Sequence, residues 1–167
     1  QIYYYTEASE DIPSWEDQGD QTIASLENAD CPEGTIGLAY YLDKTEICVP
    51  EDFSTAVVSM QQAFYSFTSV TINNEAVNAD DWVGAFNGDV CVGARKWDIP
   101  ECGGVCDVPV MGDDGDEWTE GYMTNGDIPS FKIFDASESD YLDAVASEDI
   151  PWSNGGFEIL ENLQNAV

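Results

Sequence analysis

Short segments of alternating apolar and polar residues recur along the chain, and Gly, Asn and Asp separate them. Such alternation predicts half-buried β-strands, and no long stretch has the 3.6-residue period of an amphipathic helix. Asn73-Asn74 and Asn87-Gly88 are turn signals between segments. The predicted strands cover residues 55–72 (as two strands or one long bent strand), 82–86, 90–94, 108–111, 120–124, 130–135, 141–146 and 157–163.

The first fifty residues follow a different pattern. Residues 1–8 have high β propensity, whereas residues 9–30 are polar and acidic and predict a loop with a short helix near 21–27. Residues 35–49 predict a hairpin that turns near Asp43 and Lys44. We therefore expect an N-terminal arm and acidic loop over residues 1–30, followed by one domain over residues 31–167.

Short strands at regular spacing, joined by turns, are typical of a β-sandwich. The expected fold class is all-β: an antiparallel β-sandwich of jelly-roll or immunoglobulin-like type, with an extended N-terminal arm and disulfide-stapled loops.

Charge is the most unusual feature of the composition. The chain has 34 Asp and Glu against four Lys and Arg, a net charge of −30. Such a surface repels nucleic acid and anionic membranes, so neither is an expected partner. It also repels itself, which indicates bound divalent cations, adaptation to a salty medium, or a solvated acidic face with diffuse counter-ions.

The five cysteines indicate an oxidising compartment, because the chain has no His or paired CxxC motif for a Cys/His zinc site. Cys31 and Cys48 flank the predicted hairpin, and a bridge between them would stabilise the fold by about 3 kcal/mol. Cys102 and Cys106 enclose a tight turn that a second bridge can close. This leaves Cys91 as a buried thiol, although a bridge from Cys91 to Cys102 or Cys106 is an alternative.

The expected location is extracellular, either secreted or on the cell surface. The chain opens on Gln1 rather than Met, which is typical of a mature chain whose signal segment has been removed. It has no apolar run long enough to span a bilayer.

Catalysis is not expected. Because the chain contains no His, it cannot form Ser-His-Asp or Cys-His nucleophile systems. Two carboxylates can hydrolyse a glycoside, but among 34 acidic residues such a pair arises by chance. The sequence therefore predicts a protein that is not an enzyme.

Calcium is the expected cofactor, because hard cations bind several oxygen ligands and Asp-rich turns provide them. Three clusters are candidates, although turn propensity alone explains Asp and Asn at each of them. They are residues 113–117 without the full EF-hand pattern, residues 78–81 with the following hairpin, and Asp135 with Glu138, Asp140 and Asp143. The metal ligands predicted from them are Asp80, Asp81, Asn87, Asp89, Asp113, Asp114, Asp116 and Asp135.

The N-terminal arm predicts self-association. Ile2, Tyr3, Tyr4 and Tyr5 form an apolar extended segment, and such a strand can add to a sheet edge of a neighbouring copy. Head-to-tail repetition of this contact makes an open fibre. The alternative is that the arm pairs within its own domain.

Part of the chain resembles a β-sandwich module found repeatedly in large secreted bacterial proteins. The resemblance rests on the run DWVGAFNGDVCVGAR at residues 81–95, the strand PSFKIFDAS at residues 129–137, and the closing segment at residues 154–157. It covers about residues 56–163 and implies an extracellular accessory or surface module rather than a catalyst. The family's lone Cys at the position of Cys91 implies that Cys91 stays unpaired.

These features predict a structural subunit of an extracellular filament or surface assembly, stabilised by calcium and disulfides, with the N-terminal strand pairing to a neighbouring subunit. The partners expected are copies of the chain itself. The alternative is a monomeric calcium-dependent adhesive or glycan-binding module that uses exposed Trp and Tyr, with extracellular glycans as partners.

Overall fold

The computed structural model describes residues 31–39 and 46–167, where the regular structure is β-sheet apart from two 3₁₀ turns. The chain divides into two compact units, Gln1–Thr55 and Ala56–Val167. The predicted arm with Ile2, Tyr3, Tyr4 and Tyr5, the short helix near residues 21–27 and the turn at Asp43 and Lys44 lie outside the described residues. No helix in the described part of the chain is long and apolar enough to cross a bilayer.

A disulfide-bridged hairpin is the described part of the first unit. Strand β1 (Thr35–Ala39) pairs antiparallel with β2 (Glu46–Pro50), as the alternation predicts. Cys31 bonds to Cys48 across the hairpin, with the two Cα atoms 5.5 Å apart. Both the predicted hairpin and its disulfide are confirmed.

The second unit is built on one curled, mixed sheet of eight strands that forms a half-barrel. Its strand order is β4-β3-β10-β9-β8-β5-β6, and β7 pairs with β3. The strands are β3 (Gln62–Ile72), β4 (Glu75–Ala76), β5 (Trp82–Asn87), β6 (Val90–Lys96), β7 (Asp107–Met111), β8 (Ser130–Asp135), β9 (Asp140–Ala146) and β10 (Phe157–Asn165).

The sheet differs from the predicted antiparallel sandwich in its central pair. Strands β3 and β10 run parallel, from Phe157 opposite Phe64 to Gln164 opposite Thr71. The remaining pairs are antiparallel, and all eight strands belong to one sheet that curls rather than to two stacked sheets. The alternation of apolar and polar residues predicted that these segments are strands. It does not indicate which distant strands pair, so the parallel pair was not predicted.

The core lies on the concave side of the curled sheet. In β3 the side chains of Ala63, Tyr65 and Phe67 alternate inward and are at most 1% exposed. Phe67 packs edge-on against Phe131 of β8, with ring centroids 5.2 Å apart. Trp152, which precedes β10, is 1% exposed, and its Nε1 donates to the Val110 carbonyl oxygen at 2.9 Å. The loops and the sheet therefore share one apolar core.

Strand β7 passes very close to the face of β6 at Gly93. A Cβ atom built on Gly93 would collide with the backbone carbonyl of Pro109. One pleat further on, Arg95 donates from Nε to the Asp107 carbonyl oxygen at 2.9 Å and lies 3.3 Å from the Asp107 carboxylate. Gly93 is the residue that lets the two backbones approach, and Arg95 holds them at the end of the contact.

Two turns lie where the sequence predicted them, although the second is shifted by one residue. Asn73 and Asn74, both with positive φ, connect β3 to β4 as predicted. In the next hairpin Asn87 pairs with Val90, so the two-residue loop is Gly88-Asp89 rather than Asn87-Gly88. Gly88 has φ +60 at the first loop position, where type II′ turns favour glycine.

The predicted strand at residues 120–124 is wrong. Residues 117–119 form a 3₁₀ turn, Gly121 has φ +85, and Met123 makes a single bridge to Gly112. A positive φ breaks the extended backbone that the alternation of side chains suggested.

The second predicted disulfide is confirmed. Cys102 bonds to Cys106, with Cα atoms 5.1 Å apart, and closes the turn before β7. Cys91 in β6 is buried outside both disulfides, and its thiol lies 3.7 Å from the Gly93 carbonyl oxygen. The alternative bridges from Cys91 are therefore excluded.

We expect Gly93→Ala to lower the free energy of unfolding by about 2–3 kcal/mol, because the carbonyl of Pro109 is backbone and moves only with β7. The matched control is Gly103→Ala, where φ is +77 but nothing lies within 4 Å of the new Cβ. That substitution carries backbone strain alone, about 1 kcal/mol. Urea denaturation of both variants measures the difference, and an equal loss at the two positions would contradict the close approach.

Candidate functional site: the acidic turns

The loop after β7 contains three of the predicted calcium ligands, and each carboxylate accepts hydrogen bonds from its own loop. Oδ1 of Asp113 accepts from the Gly115 N–H at 2.9 Å, and Oδ1 of Asp116 accepts from the Trp118 N–H at 3.0 Å. Asp116 thereby caps the 3₁₀ turn Glu117–Thr119. In each of these two residues one carboxylate oxygen accepts a backbone hydrogen bond, and this bond stabilises the loop conformation.

Asp114 is the most heavily bonded carboxylate of this loop. Its Oδ2 accepts from the Met60 N–H at 2.8 Å and lies 3.1 Å from the Ser59 hydroxyl. Its Oδ1 accepts from the Thr119 hydroxyl at 2.8 Å and from the Asp116 N–H at 3.2 Å. The bond from Met60, followed by that from Thr119, lowers the pKa of Asp114 from 3.8 to about 2. Asp114 ties the segment before β3 to the loop after β7.

Asp81 is a buried carboxylate at the start of β5, with 1% of its surface exposed. Its Oδ2 accepts from the Asn78 N–H at 2.6 Å, and its Oδ1 accepts from the Ala136 N–H at 2.9 Å. The Asp81 carbonyl oxygen accepts from the Trp97 N–H at 2.8 Å. A buried carboxyl group is tolerated when it is hydrogen-bonded in this way, so Asp81 holds three turns together at one end of the sheet.

Two of the predicted clusters meet at that end of the sheet. Trp82 pairs with Phe134, so the turns that contain Asp81 and Asp135 are neighbours, and Asp135 pairs with Asp140 of β9. Oδ1 of Asp135 accepts from the N–H and the hydroxyl of Ser137, at 2.9 and 2.7 Å. Asp80 instead pairs with Lys96 at 2.9 Å on the surface. The spacing of these residues along the chain did not indicate that the two clusters adjoin.

The remaining predicted ligands, Asn87 and Asp89, lie at the opposite end of β5. The Asn87 side chain donates from Nδ2 to the carbonyl oxygens of Gly121 and Tyr122, at 3.1 and 3.2 Å. Asp89 is exposed in the hairpin loop. The side-chain amide of Asn87 therefore positions the loop around residue 121.

In residues 31–39 and 46–167, no three Asp, Glu, Cys or His side chains converge as a ready metal-ligand group. The predicted ligands occupy four turns, of which those of Asp81 and Asp135 adjoin, and most of the ligands accept backbone N–H groups. Asp113, Asp116 and Asp135 each accept through Oδ1, and each lies in a partly or fully exposed turn.

Asp127 is a bonded carboxylate that the ligand prediction missed. Its Oδ2 accepts from the N–H and the hydroxyl of Thr124, at 2.8 and 2.9 Å, and these bonds lower its pKa. Its carbonyl oxygen accepts from the Trp152 N–H at 2.7 Å. The Asp-Ile-Pro tripeptide at residues 127–129 is the signal that could have found it, because Pro129 directly precedes β8 and marks the end of the turn.

Most of the described tryptophans serve the core. Trp82, Trp97 and Trp152 are 9%, 2% and 1% exposed, whereas Trp118 in the acidic loop is 44% exposed. A row of stacked tryptophans for a sugar is therefore not formed by the described residues, and Trp118 alone has its ring open to a ligand.

No protein-family model, no curated protein and no solved structure matches this chain.

We expect Asp114→Asn to lower the free energy of unfolding by about 1–2 kcal/mol at neutral pH, because an amide cannot accept at both positions. The folded-state pKa is depressed, so the stabilisation by Asp114 is present above pH 4 and is lost as pH falls through 2. The free energies of unfolding of the wild type and the variant, measured by urea denaturation, should therefore converge as the pH falls over that range.

The control is Asp89→Asn, which removes one charge from an exposed turn and should leave the free energy of unfolding nearly unchanged. If Asp89→Asn lowered the free energy of unfolding as much as Asp114→Asn, the destabilisation would come from the change in net charge rather than from lost hydrogen bonds.

Proposed function

We propose that the chain is a structural subunit of an extracellular filament or surface assembly. In this proposal disulfides and calcium stabilise the subunit, and its N-terminal segment pairs with a neighbouring copy. The observation that carries it is an exposed apolar strip in an otherwise acidic protein. Phe157 and Ile159 on β10 are 77% and 80% exposed, and a protein with no partner gains nothing from exposing them.

The fold supports a mechanical role. Both disulfides close loops, which stabilises the folded state by limiting the unfolded chain, and two bridges are typical of proteins outside the cytosol. The carboxylates of Asp81, Asp113, Asp114 and Asp135 accept hydrogen bonds that hold turns. The resemblance to secreted bacterial surface modules stays a prediction and points the same way.

Calcium has a defined task in this proposal. Subunits with a net charge of −30 repel each other when they come close, and divalent cations reduce that repulsion more strongly than monovalent salt. Asp113 and Asp116 lie in one loop, partly and fully exposed respectively, where a cation shared with an acidic neighbour would offset the charge of both surfaces.

The alternative function is a monomeric calcium-dependent adhesive or glycan-binding module. The specific observation in its favour is Trp118, an exposed ring within the Asp-rich loop, because carbohydrate sites combine an aromatic face with acidic hydrogen-bond acceptors. Glycan binding by a monomer that is lost in Trp118→Ala would support this function instead.

We expect the full-length, disulfide-bonded protein to form filaments in negative-stain micrographs with calcium and to dissociate when EDTA is added. A NaCl sample of equal ionic strength is the control, because general screening acts through ionic strength alone. Monodisperse particles in every condition would contradict the filament. Filaments that persist in EDTA would contradict the calcium requirement while leaving self-assembly intact.

A further inference from the structure

Half of strand β10 lies at an edge of the sheet. Strand β10 pairs with β3 along most of its length, but it pairs with β9 only from Leu163 to Asn165. Strand β9 ends at Ala146, opposite Leu163, and the chain then leaves the sheet. Among the described residues, residues 157–160 therefore have β3 on one side and no strand on the other.

The hydrogen-bonding groups of Phe157 and Ile159 face this open side. The Gly156 carbonyl oxygen accepts from the Phe64 N–H at 2.9 Å, which places Gly156 in the ladder with β3. Successive residues of a strand direct their N–H and C=O groups to opposite sides, so Phe157 and Ile159 direct theirs away from β3. Two donors and two acceptors are aligned for one more strand.

The open edge has a defined end. The N–H groups of Glu161 and Asn162 donate to the Ser147 hydroxyl at 3.1 and 3.3 Å, and the Ser147 N–H donates to the Asn162 carbonyl oxygen at 2.9 Å. From Asn162 onward, Ser147 and β9 occupy this side of β10. An added strand would lie in line with β9, beside about four or five residues of β10.

The side chains beside this edge are apolar. Phe157 and Ile159 point to the outer face, and Phe157 stacks on Phe64 of β3 with ring centroids 5.1 Å apart. Ser66, opposite Ile159, adds no charge to the strip. In a chain with 34 acidic residues, this neutral strip is a surface that a second copy approaches with little repulsion.

The other outer strands carry the features that block strand addition. Strand β4 has two residues, β7 contains Pro109, and β6 ends in Arg95 and Lys96. Short edges, prolines and charges each hinder pairing with another chain. Phe157 and Ile159 have none of these three features, and Glu158 between them directs its side chain to the other face of the sheet and its N–H and C=O toward β3.

We propose that the open edge of β10 at residues 157–160 is the acceptor for residues 2–5 of a second copy, an inference that rests on the proposed self-assembly. Ile2, Tyr3, Tyr4 and Tyr5 are uncharged, favour extended backbone, and match the edge in length. Their alternation directs two side chains onto the strip of Phe157 and Ile159.

A second copy, rather than the same chain, is the source of the strand. Phe157 and Ile159 are 77% and 80% exposed, so the described residues of their own unit leave them uncovered. From Tyr5 to Cys31 an extended chain spans up to about 85 Å. A unit the size of Ala56–Val167 has a radius of gyration of about 13 Å, so a segment of that length is long enough to reach the β10 edge of a neighbouring copy.

The first test is Ile159→Pro in the full-length protein, because it removes an N–H that faces the open edge and leaves the ladder with β3 intact. We expect the critical concentration for assembly in calcium to rise about tenfold or more, as measured by sedimentation. Ile159→Val is the matched control and should assemble as wild type. If Ile159→Pro proves unstable in urea, Ile159→Asp replaces it as the test. This variant keeps the N–H but charges the strip, and we expect it to raise the critical concentration to a similar extent.

The second test joins the two segments directly. A chain with Tyr4→Cys, or Tyr3→Cys for the other face, is mixed with a chain carrying Ile159→Cys and treated with a short thiol cross-linker. We expect a cross-linked species of twice the chain mass. When both substitutions are in one chain, cross-linking at monomer mass alone would overturn the proposal, because the arm would then pair within its own chain.

The outcomes separate this inference from the function on which it rests. Filaments that require residues 1–6 but are unaffected by Ile159→Pro and Ile159→Asp would retain the assembly and overturn the acceptor site. Wild-type protein that never assembles would overturn both. Loss of assembly in both Ile159 variants, with normal unfolding curves and the intermolecular cross-link, supports the β10 edge.

Discussion

The parallel contact between β3 and β10 is the constraint on which the second unit depends. It places the last strand beside the first long strand, and both direct aromatic or aliphatic side chains into the same core. On one side β3 receives β7 and β4, and on the other side β10 receives β9, so the whole sheet is ordered outward from this pair. Strand β9 overlaps β10 only from Leu163 to Asn165, and this short overlap leaves the open edge.

Many of the carboxylates in this protein are stabilised by hydrogen bonds from groups close to them in the chain. Asp81, Asp113, Asp114, Asp116, Asp127 and Asp135 accept hydrogen bonds from nearby backbone N–H or hydroxyl groups, so each carboxylate organises a turn. Arg95, Lys96 and Lys132, the cations of the described residues, each pair with an acidic partner. Because surface pairs contribute little, the bonded turns provide more of the stability than the ion pairs do.

Much of the local structure could be predicted from the sequence. The strands from residue 130 onward, the Asn73-Asn74 turn and both disulfides were predicted in place, because alternation, turn residues and cysteine spacing act over short distances. The parallel pairing and the meeting of the Asp81 and Asp135 turns were not predicted. Both depend on which distant strands become neighbours, and no residue near Phe157 or Phe64 encodes that choice alone.

The same limit applies to the candidate sites. The Asp clusters were found by composition, but their bonds were not, because a carboxylate in a turn looks the same in sequence whether it binds a cation or caps a backbone. Gly93 shows the reverse case: it is an ordinary glycine in an alternating run, and its role emerges only where β7 crosses it.

The distance along the chain between the paired strands also governs how the second unit folds. Phe64 and Phe157 are joined across about ninety residues, so the central ladder cannot form until nearly all of the unit is available. Contacts so far apart in sequence are slow to form, and the hairpins between them have no completed core to pack against in the meantime. A chain shortened before β10 would lose the whole sheet rather than one strand, which makes the C-terminal strand the step that commits the unit to its native state.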